Sequence, residues 1–410
     1  MSQLRDLLEI RDFRYLWTAQ IASDFGDNLT ALSLLILIQR LTGSTVAIAG
    51  LMISITLPAL VFGVLSGVYV DRFDRRRMMI ISDFLRAVLV LSFILVDSVE
   101  LLPLLYGIAF VQATIGTLFN PARSALLPRI VGEEKLLAAN SVSQTSRIIF
   151  NLLGTTAAGI LASISTGFAP AFIADSLTFL LSAALIARMA TSGVPRERSP
   201  SRVWDDMKSG FEVLVGSRPL QGMLVGAGVA MLGLGAVNVL GVPFIIGELE
   251  LSEAYFGLVE FAQVAGMVIS GSLVALLAVR LRAPTLVSLG MLGVGIAVGL
   301  LGASSEIWQL GLVLFGVGLF VTPTQAGVST LSQTLIEDDM RGRVGGALSA
   351  LISGANVLSM GVAGVAAAAI GIRNVFILSG LIVVLAGILA GLLLRGVDVR
   401  RDPATVPETV

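Results

Sequence analysis

Apolar segments long enough to cross a bilayer recur along this chain of 410 residues from one end to the other. A hydrocarbon core roughly 30 Å thick needs about 20 residues of helix, whereas the strands of a membrane barrel are only about 10 residues long and alternate in polarity. The pattern predicts helical spans over 14–39, 46–70, 78–96, 101–122, 137–163 and 168–189, then 220–246, 254–278, 284–303, 307–330, 344–370 and 374–394. Such boundaries are good to about four residues. With 55% hydrophobic and 13% charged residues the chain cannot coat a water-soluble surface, and lipid is its expected solvent. The expected fold class is an all-α membrane protein with twelve transmembrane helices.

Charge gives the expected orientation. In this layout about 23 of the 27 Lys and Arg fall on the side of the N-terminus, while the opposite loops hold Arg40, Arg373 and the acids Asp97, Glu100, Glu248, Glu250, Glu253 and Glu306. Basic loops stay in the cytoplasm, so a multi-pass protein of the cell membrane with both termini inside is expected. Tyr15, Trp17, Tyr255 and Trp308 sit near helix ends, where interfacial aromatics belong. Residues 1–14 mix both charge signs and lack a cleavable apolar core, so the first span is expected to stay in place.

Composition removes several function classes. The net charge of −1 and the scattered arginines give no reason to expect a nucleic-acid partner. The chain has no Cys and no His, which rules out disulfides, zinc sites and imidazole relays; a transported proton must ride on a carboxylate. Its two lysines, Lys135 and Lys208, lie in no phosphate-binding loop, so no nucleotide motor and no cofactor is expected. Energy would have to come from a gradient or a separate subunit.

The longest polar stretch divides the chain near its middle. The expected organisation is an N-terminal six-helix bundle over 1–190, a cytoplasmic linker over 191–218, and a C-terminal bundle with a short tail over 219–410. Inside the linker, 204–215 reads as a surface helix with Trp204, Met207, Phe211 and Leu214 on one face. Phe119-Asn120-Pro121 near the end of span four is echoed by Val321-Thr322-Pro323 in span ten, as duplication of one six-helix unit predicts.

After span two comes Gly67-Val68-Tyr69-Val70-Asp71-Arg72-Phe73-Asp74-Arg75-Arg76-Arg77. This resembles the G-x-x-x-D-R-x-x-R-R loop of the major facilitator superfamily. Asp83 and Arg86, the Asn120 to Arg123 stretch, Ala139-Asn140 and Arg341-Gly342-Arg343 resemble the branch that contains macrolide efflux pumps and the enterobactin exporter. The resemblance implies two bundles with a midplane site at their interface, an inner gate formed by Gly67, Asp71, Arg72, Arg75 and Arg76 against Arg341 and Arg343, and drug–proton antiport. Asp71 adds nothing to positive-inside sorting, which favours gating over a merely topogenic loop. Exporters of the superfamily often carry G-P-x-x-G-G in span five; here Gly154-Thr155-Thr156-Ala157-Ala158-Gly159 lacks the proline and one glycine.

Charges inside spans cost several kcal/mol unless neutralised, paired or hydrated, so each is a candidate site. Gln20, Asp24, Asp27 and Asn28 fall on one side of span one, with Asp27 roughly 17 Å from its inner end. Asn140, Gln144, Arg147 and Asn151 form a second stripe in span five, with Arg147 at a similar depth. Asp24 or Asp27 is expected to pair with Arg147 and to carry the proton, Asp27 being favoured, against the alternative of a static ion pair. Glu260 is the comparable acid of the second half. Asp83 and Arg86, three residues apart, are expected to neutralise each other as a structural charge pair, and Asp175 to be peripheral.

The reading that follows is a monomeric secondary transporter exporting small amphipathic substrates in exchange for protons. A dedicated exporter of a siderophore or lysophospholipid is the rival within transport. A receptor or scaffold without transport has no use for buried carboxylates, and an intramembrane enzyme has no Ser-His or metal constellation to work with.

Overall fold

The computed structural model describes residues 2–70, 72–194, 203–277, 281–337 and 340–395, and every regular element in it is helical. In lipid an unpaired backbone N–H or C=O has no water to turn to, so a chain this apolar satisfies its backbone within each span. In order the helices are α1 (Ser2–Glu9), α2 (Arg11–Thr42), α3 (Thr45–Val70), α4 (Arg75–Ser92), α5 (Leu102–Gly116), α6 (Phe119–Val131), α7 (Leu136–Ile164) and α8 (Ala169–Ala187). Then follow α9 (Val203–Gly216), α10 (Arg218–Val242), α11 (Phe256–Leu277), α12 (Ala283–Leu301), α13 (Ile307–Leu335), α14 (Arg341–Ile370) and α15 (Ile372–Leu393). Among the described residues twelve segments are long and apolar enough to span, α5 and α6 counting as one, with α1 and α9 outside the set.

The spans fall where hydropathy predicts them, with one informative exception. Span four does not stop at 122: the helix breaks at Thr117–Leu118 and resumes as α6 to Val131, so Pro121 interrupts the span and does not end it. A proline has no N–H to return to the preceding turn but fits the first turn of a new helix. Gly43 shows another turn device. It closes α2 at φ 58°, a left-handed conformation that few other residues take up, and its N–H returns to Gln39 O.

The helices form two six-helix bundles. In the first, α2 packs on α7 and α8, α4 on α5, α6 and α8, and α3 on α5; in the second, α10 packs on α14 and α15, α12 on α13 and α15, and α11 on α13. Glycines set the closest approaches, since an added Cβ at Gly154 of α7 would strike the Phe25 carbonyl of α2, and one at Gly26 of α2 would strike the Asp175 side chain of α8. The linker helix α9 lies on α14, with Gly210 against the Arg343 carbonyl and Leu214 buried. The side chains of Trp204 and Met207, and residues 195–202 of the linker, lie outside the described residues, as does the tail beyond Arg395.

An even number of spans returns the chain to the face it started from, here termed the terminal face; the other is the distal face. The bundles share one hydrophobic cluster, which includes Ile36, Ile38 and Ile48 of the first bundle with Val239, Phe244 and Met360 of the second. Toward the terminal face each bundle keeps a cluster of its own, around Phe13, Phe119 and Met189 in one and Leu220, Val344 and Leu394 in the other. The molecule is therefore closed on the distal side.

The distal closure is polar as well as apolar. Arg40, at the end of α2, places Nη2 2.8 Å from Glu253 Oε1 of the second bundle and also donates to the carbonyls of Ala162 and Ser165, with its guanidinium 5.2 Å from the Phe168 ring. Thr45 Oγ1 donates to Gly364 O at 2.7 Å, and a Cβ at Gly159 would collide with the Glu253 carbonyl. Arg373 sits 3.6 Å from Glu248 within the second bundle. The two basic residues of this face are thus both held by its acids. Because the chain has no native cysteine, an Ala162→Cys reporter next to Arg40 can read the closure. Replacing Arg40 with Gln is expected to raise the rate at which a membrane-impermeant maleimide labels that reporter severalfold; an unchanged rate means the latch does not hold the seam.

Candidate functional site: a polar stripe in the first bundle

The two predicted stripes face each other across α2 and α7. Asn28 Nδ2 donates to Asn151 Oδ1 at 2.8 Å, and Trp17 Nε1 donates to Ser146 Oγ at 3.0 Å, which turns that indole toward α7 and away from a purely interfacial role. Arg147 Nη2 donates to Gln144 Oε1 at 2.9 Å, with Gln144 exposed. Asp24 lies within electrostatic reach of Arg147, Arg123 and Arg86, yet its Oδ2 is buried without a hydrogen-bond partner.

Arg123 was not anticipated. It enters because the helix continues past Pro121, and its Nη1 donates to Gln20 Oε1 at 2.6 Å, which adds a second guanidinium to the wall formed by Gln20, Asp24 and Asn28. The Phe119-Asn120-Pro121-Ala122-Arg123 run held the signal, since a proline near a break in a membrane span is tolerated where neighbours satisfy the freed backbone groups.

Asp27 departs from the stripe. A residue three positions on is turned about 60° around the helix, enough to leave one face for the next. Asp27 points to α4, where Arg86 Nη2 donates to its Oδ1 at 2.5 Å; the expected pair with Arg147 is not formed. The expected local pair of Asp83 with Arg86 is not formed either. Asp83 turns to α8, accepting from Ser182 Oγ at 2.5 Å, and leaves Arg86 free to cross to α2. The Arg86 guanidinium also lies 4.1 Å from the Phe179 ring of α8, a cation–π contact in a dry setting.

Asp175, expected to be peripheral, sits in the contact of α8 with α2. It is wholly buried between α8 and α2, with Thr30 Oγ1 donating to Oδ2 at 2.6 Å. Gly26 makes this approach feasible. A small cavity of about 110 Å³ adjoins the group, lined by Asp27, Thr30, Arg86 and Gln112 among others. Glu260 on α11 is half-buried and makes no hydrogen bond or ion pair among the described residues.

The basic loop is used inside the first bundle. Arg76 donates to the carbonyls of Ile186 and Ala187 at the end of α8, where cations suit the negative helix terminus, and Asp74 caps α4 by accepting from Arg77 N at 2.9 Å. Arg75 is buried and its N–H donates to Gly193 O; Arg72 is exposed. Gly67 lies in α3, and Asp71 falls outside the described residues. Arg341 donates to Gln333 O, and Arg343 lies near Met340 Sδ.

In the second bundle α10 and α14 are the first and fifth spans, the counterparts of α2 and α7, and their surface is apolar. A cavity of about 780 Å³ runs along Leu224, Gly228 and Leu232 of α10 and Leu351, Gly354 and Leu358 of α14, with Lys208 and Phe211 of α9 at one end. One bundle thus offers charge and amides where the other offers hydrocarbon.

Two bundles of six spans, with ionisable groups between the spans of one and an apolar groove in the other, define a membrane transporter of the major facilitator type. The sequence family described as transmembrane secretion effector matches residues 6–403, and the chain belongs to it. Macrolide efflux protein A of Streptococcus pyogenes is 26% identical over 382 residues, covering 91% of this chain and 93% of that protein. The enterobactin exporter EntS of Escherichia coli is 26% identical over 346 residues, covering 82% and 80%. YfiS of Bacillus subtilis, an uncharacterized transporter of the same type, is 28% identical over 402 residues, covering 91% of each chain. The fold is similar to that of a bacterial homologue of the iron transporter ferroportin in an inward-facing state, with TM-score 0.72 at 17% identity, covering 94% of this chain and 99% of that one.

Removing one partner of a buried ion pair leaves the other charge without compensation, at a cost of about 3–5 kcal/mol for fully buried pairs. Arg86 is 12% exposed and Asp27 38%. The exposure of Asp27 reduces the effect, and Asp27→Leu is expected to destabilise the protein by about 2–3 kcal/mol. Adding Arg86→Met should recover part of this loss in a thermal or denaturant assay. No recovery in the double variant would show that the two residues act independently.

Proposed function

We propose that this chain exports small amphipathic compounds from the cytoplasm in exchange for protons, by alternating access of the two bundles. The observation that carries the reading is the unequal pair of walls: Asp24, Arg123 and Arg147 in one bundle, the apolar groove of α10 and α14 in the other. An amphipath can lay its polar end on the first and its apolar body on the second. The terminal face is taken as cytoplasmic because most Lys and Arg lie there, so a molecule closed distally is open to the cytoplasm, ready to load. The names of two relatives, a macrolide efflux protein and an enterobactin exporter, support export.

In this scheme Asp27 is the coupling carboxylate, and Arg86 takes the place first given to Arg147. While ionised, Asp27 holds Arg86; protonated from outside, it releases it, and α2 and α4 are free to shift against each other. The inner gate would be made by the Gly67 and Asp71 loop with Arg72, Arg75 and Arg76 against Arg341 and Arg343. Glu260, without a hydrogen bond or ion pair among the described residues, is assigned to substrate contact. A single chain is proposed to work as a monomer in the cell membrane.

A second reading, export of one acidic metabolite such as a siderophore or lysophospholipid, is favoured by one feature: neither Arg123 nor Arg147 is in an ion pair among the described residues. Everted membrane vesicles with an acid interior distinguish the two. Uptake of ethidium and erythromycin, abolished by a protonophore and reduced to background by Asp27→Asn, supports the first. Uptake confined to a catecholate siderophore or a lysophospholipid supports the second, and full coupling in Asp27→Asn removes Asp27 from the scheme.

A further inference from the structure

Asp175 is an acidic group that the transport scheme leaves idle, yet its surroundings are those of a proton site. It is wholly buried, and the charged groups at its level are Asp24 and Asp27 on α2 and Asp83 and Arg86 on α4. The other charges of these helices lie at their ends, the short turn Phe93–Leu95 has none, and α8 itself carries no other charge. Arg86 is thus the nearest cation for three carboxyls, Asp27, Asp83 and Asp175, and it is already engaged by Asp27. Three ionised carboxylates around one guanidinium would leave two uncompensated negative charges in hydrocarbon, which the membrane interior does not tolerate.

The hydrogen bonds agree. Thr178 Oγ1 lies 2.7 Å from the Asp175 carbonyl oxygen and 3.2 Å from Asp175 Oδ1. A hydroxyl has one proton to give. With that proton shared between the carbonyl and Oδ1, only Thr30 is left as a full donor to the carboxyl, too little to compensate a buried negative charge. The group also has a way out. Thr30, whose hydroxyl touches Asp175 Oδ2, lines the cavity of about 110 Å³ that contains Asp27 and Arg86. Liquid water occupies about 30 Å³ per molecule, so the cavity has room for a short chain of waters. Gln112 lines it too, 9% exposed, and its amide has no hydrogen-bond partner among the described residues.

We infer that Asp175 is a second proton-binding carboxyl, filled and emptied from the Asp27 cavity through the Thr30 hydroxyl. On filling, the protonated Asp27 carboxyl gives its hydrogen to a cavity water, that water gives one to Thr30 Oγ1, and the Thr30 proton passes to Asp175 Oδ2. One proton has moved, the water and the hydroxyl are regenerated, and Asp27 is left as the carboxylate that faces Arg86. Emptying reverses each hop, and Arg86 then turns from Asp27 toward Asp175. The site rests on the proton-coupled reading for its place in the cycle, but proton binding itself is measurable without transport.

Infrared difference spectroscopy on the full chain in lipid nanodiscs, stepped in pH and transferred from H2O to D2O, reads the carbonyl stretch of protonated carboxyl groups directly. The expected result is a band that titrates and shifts in D2O, is lost in Asp175→Asn, and survives Asp83→Asn. Thr30→Val should keep the band but slow its exchange, while Thr30→Ser keeps both band and rate. If Asp175→Asn does not give a monodisperse protein, the two Thr30 variants decide. A band unaltered by Asp175→Asn, or wild-type exchange in Thr30→Val, overturns the inference. A band that behaves as expected in a protein whose efflux ignores the proton gradient would sink the coupling reading and leave this site standing.

Discussion

A guanidinium held inside a hydrocarbon layer needs a counter-charge, and the contact of Arg86 with Asp27 is where this protein supplies one. Much of the first bundle is arranged about that need. Phe179 covers one face of the guanidinium, Gly26 lets α8 come close enough to α2 for Asp175 to join, and Asp83 is held off by Ser182 so that Arg86 crosses between helices and does not fold back on its own. An ion pair with a carboxylate to spare on either side has more than one low-energy arrangement, which is what a moving element requires.

The second constraint is the absence of a water-driven force between helices in lipid. Close backbone approach and shared polar contacts must hold the bundles together. On the distal side Gly159, Gly257 and Gly364 let the bundles touch, while Arg40 with Glu253 and Thr45 with Gly364 lock the contact. On the terminal side each bundle is packed on itself. The difference between the two sides is a difference in where small residues and paired charges fall, so the conformation can be traced to particular residues.

The spans, their number and the two facing stripes were legible in the sequence because helix period and bilayer thickness fix them almost alone. Asn28 of one stripe does meet Asn151 of the other, as spacing along each helix predicts. The pairing of charges was not legible. Asp27 and Asp24 are three residues apart, and spacing alone does not say which helix lies on each side. Arg86 had a partner at hand in Asp83, and local spacing favoured it; only the packing of α4 on α8, itself packed on α2, brings Arg86 to Asp27. Arg123 was hidden by the usual meaning of a proline as a stop. Arg40 and Glu253 stood out only as charges on the sparse side, since nothing in a linear chain joins residues more than two hundred positions apart.

The proposed coupling joins the Asp27–Arg86 contact in one bundle to the closure between both. Spin-label pairs on the terminal and distal ends of α3 and α14, placed in the cysteine-free background and read by double electron–electron resonance over a pH series, test that connection directly. The account predicts that the distal distance lengthens and the terminal distance shortens together as pH falls, and that both stay fixed in Asp27→Asn. Distances that move with pH in the same way in Asp27→Asn, or that never move in the wild-type chain, would contradict it.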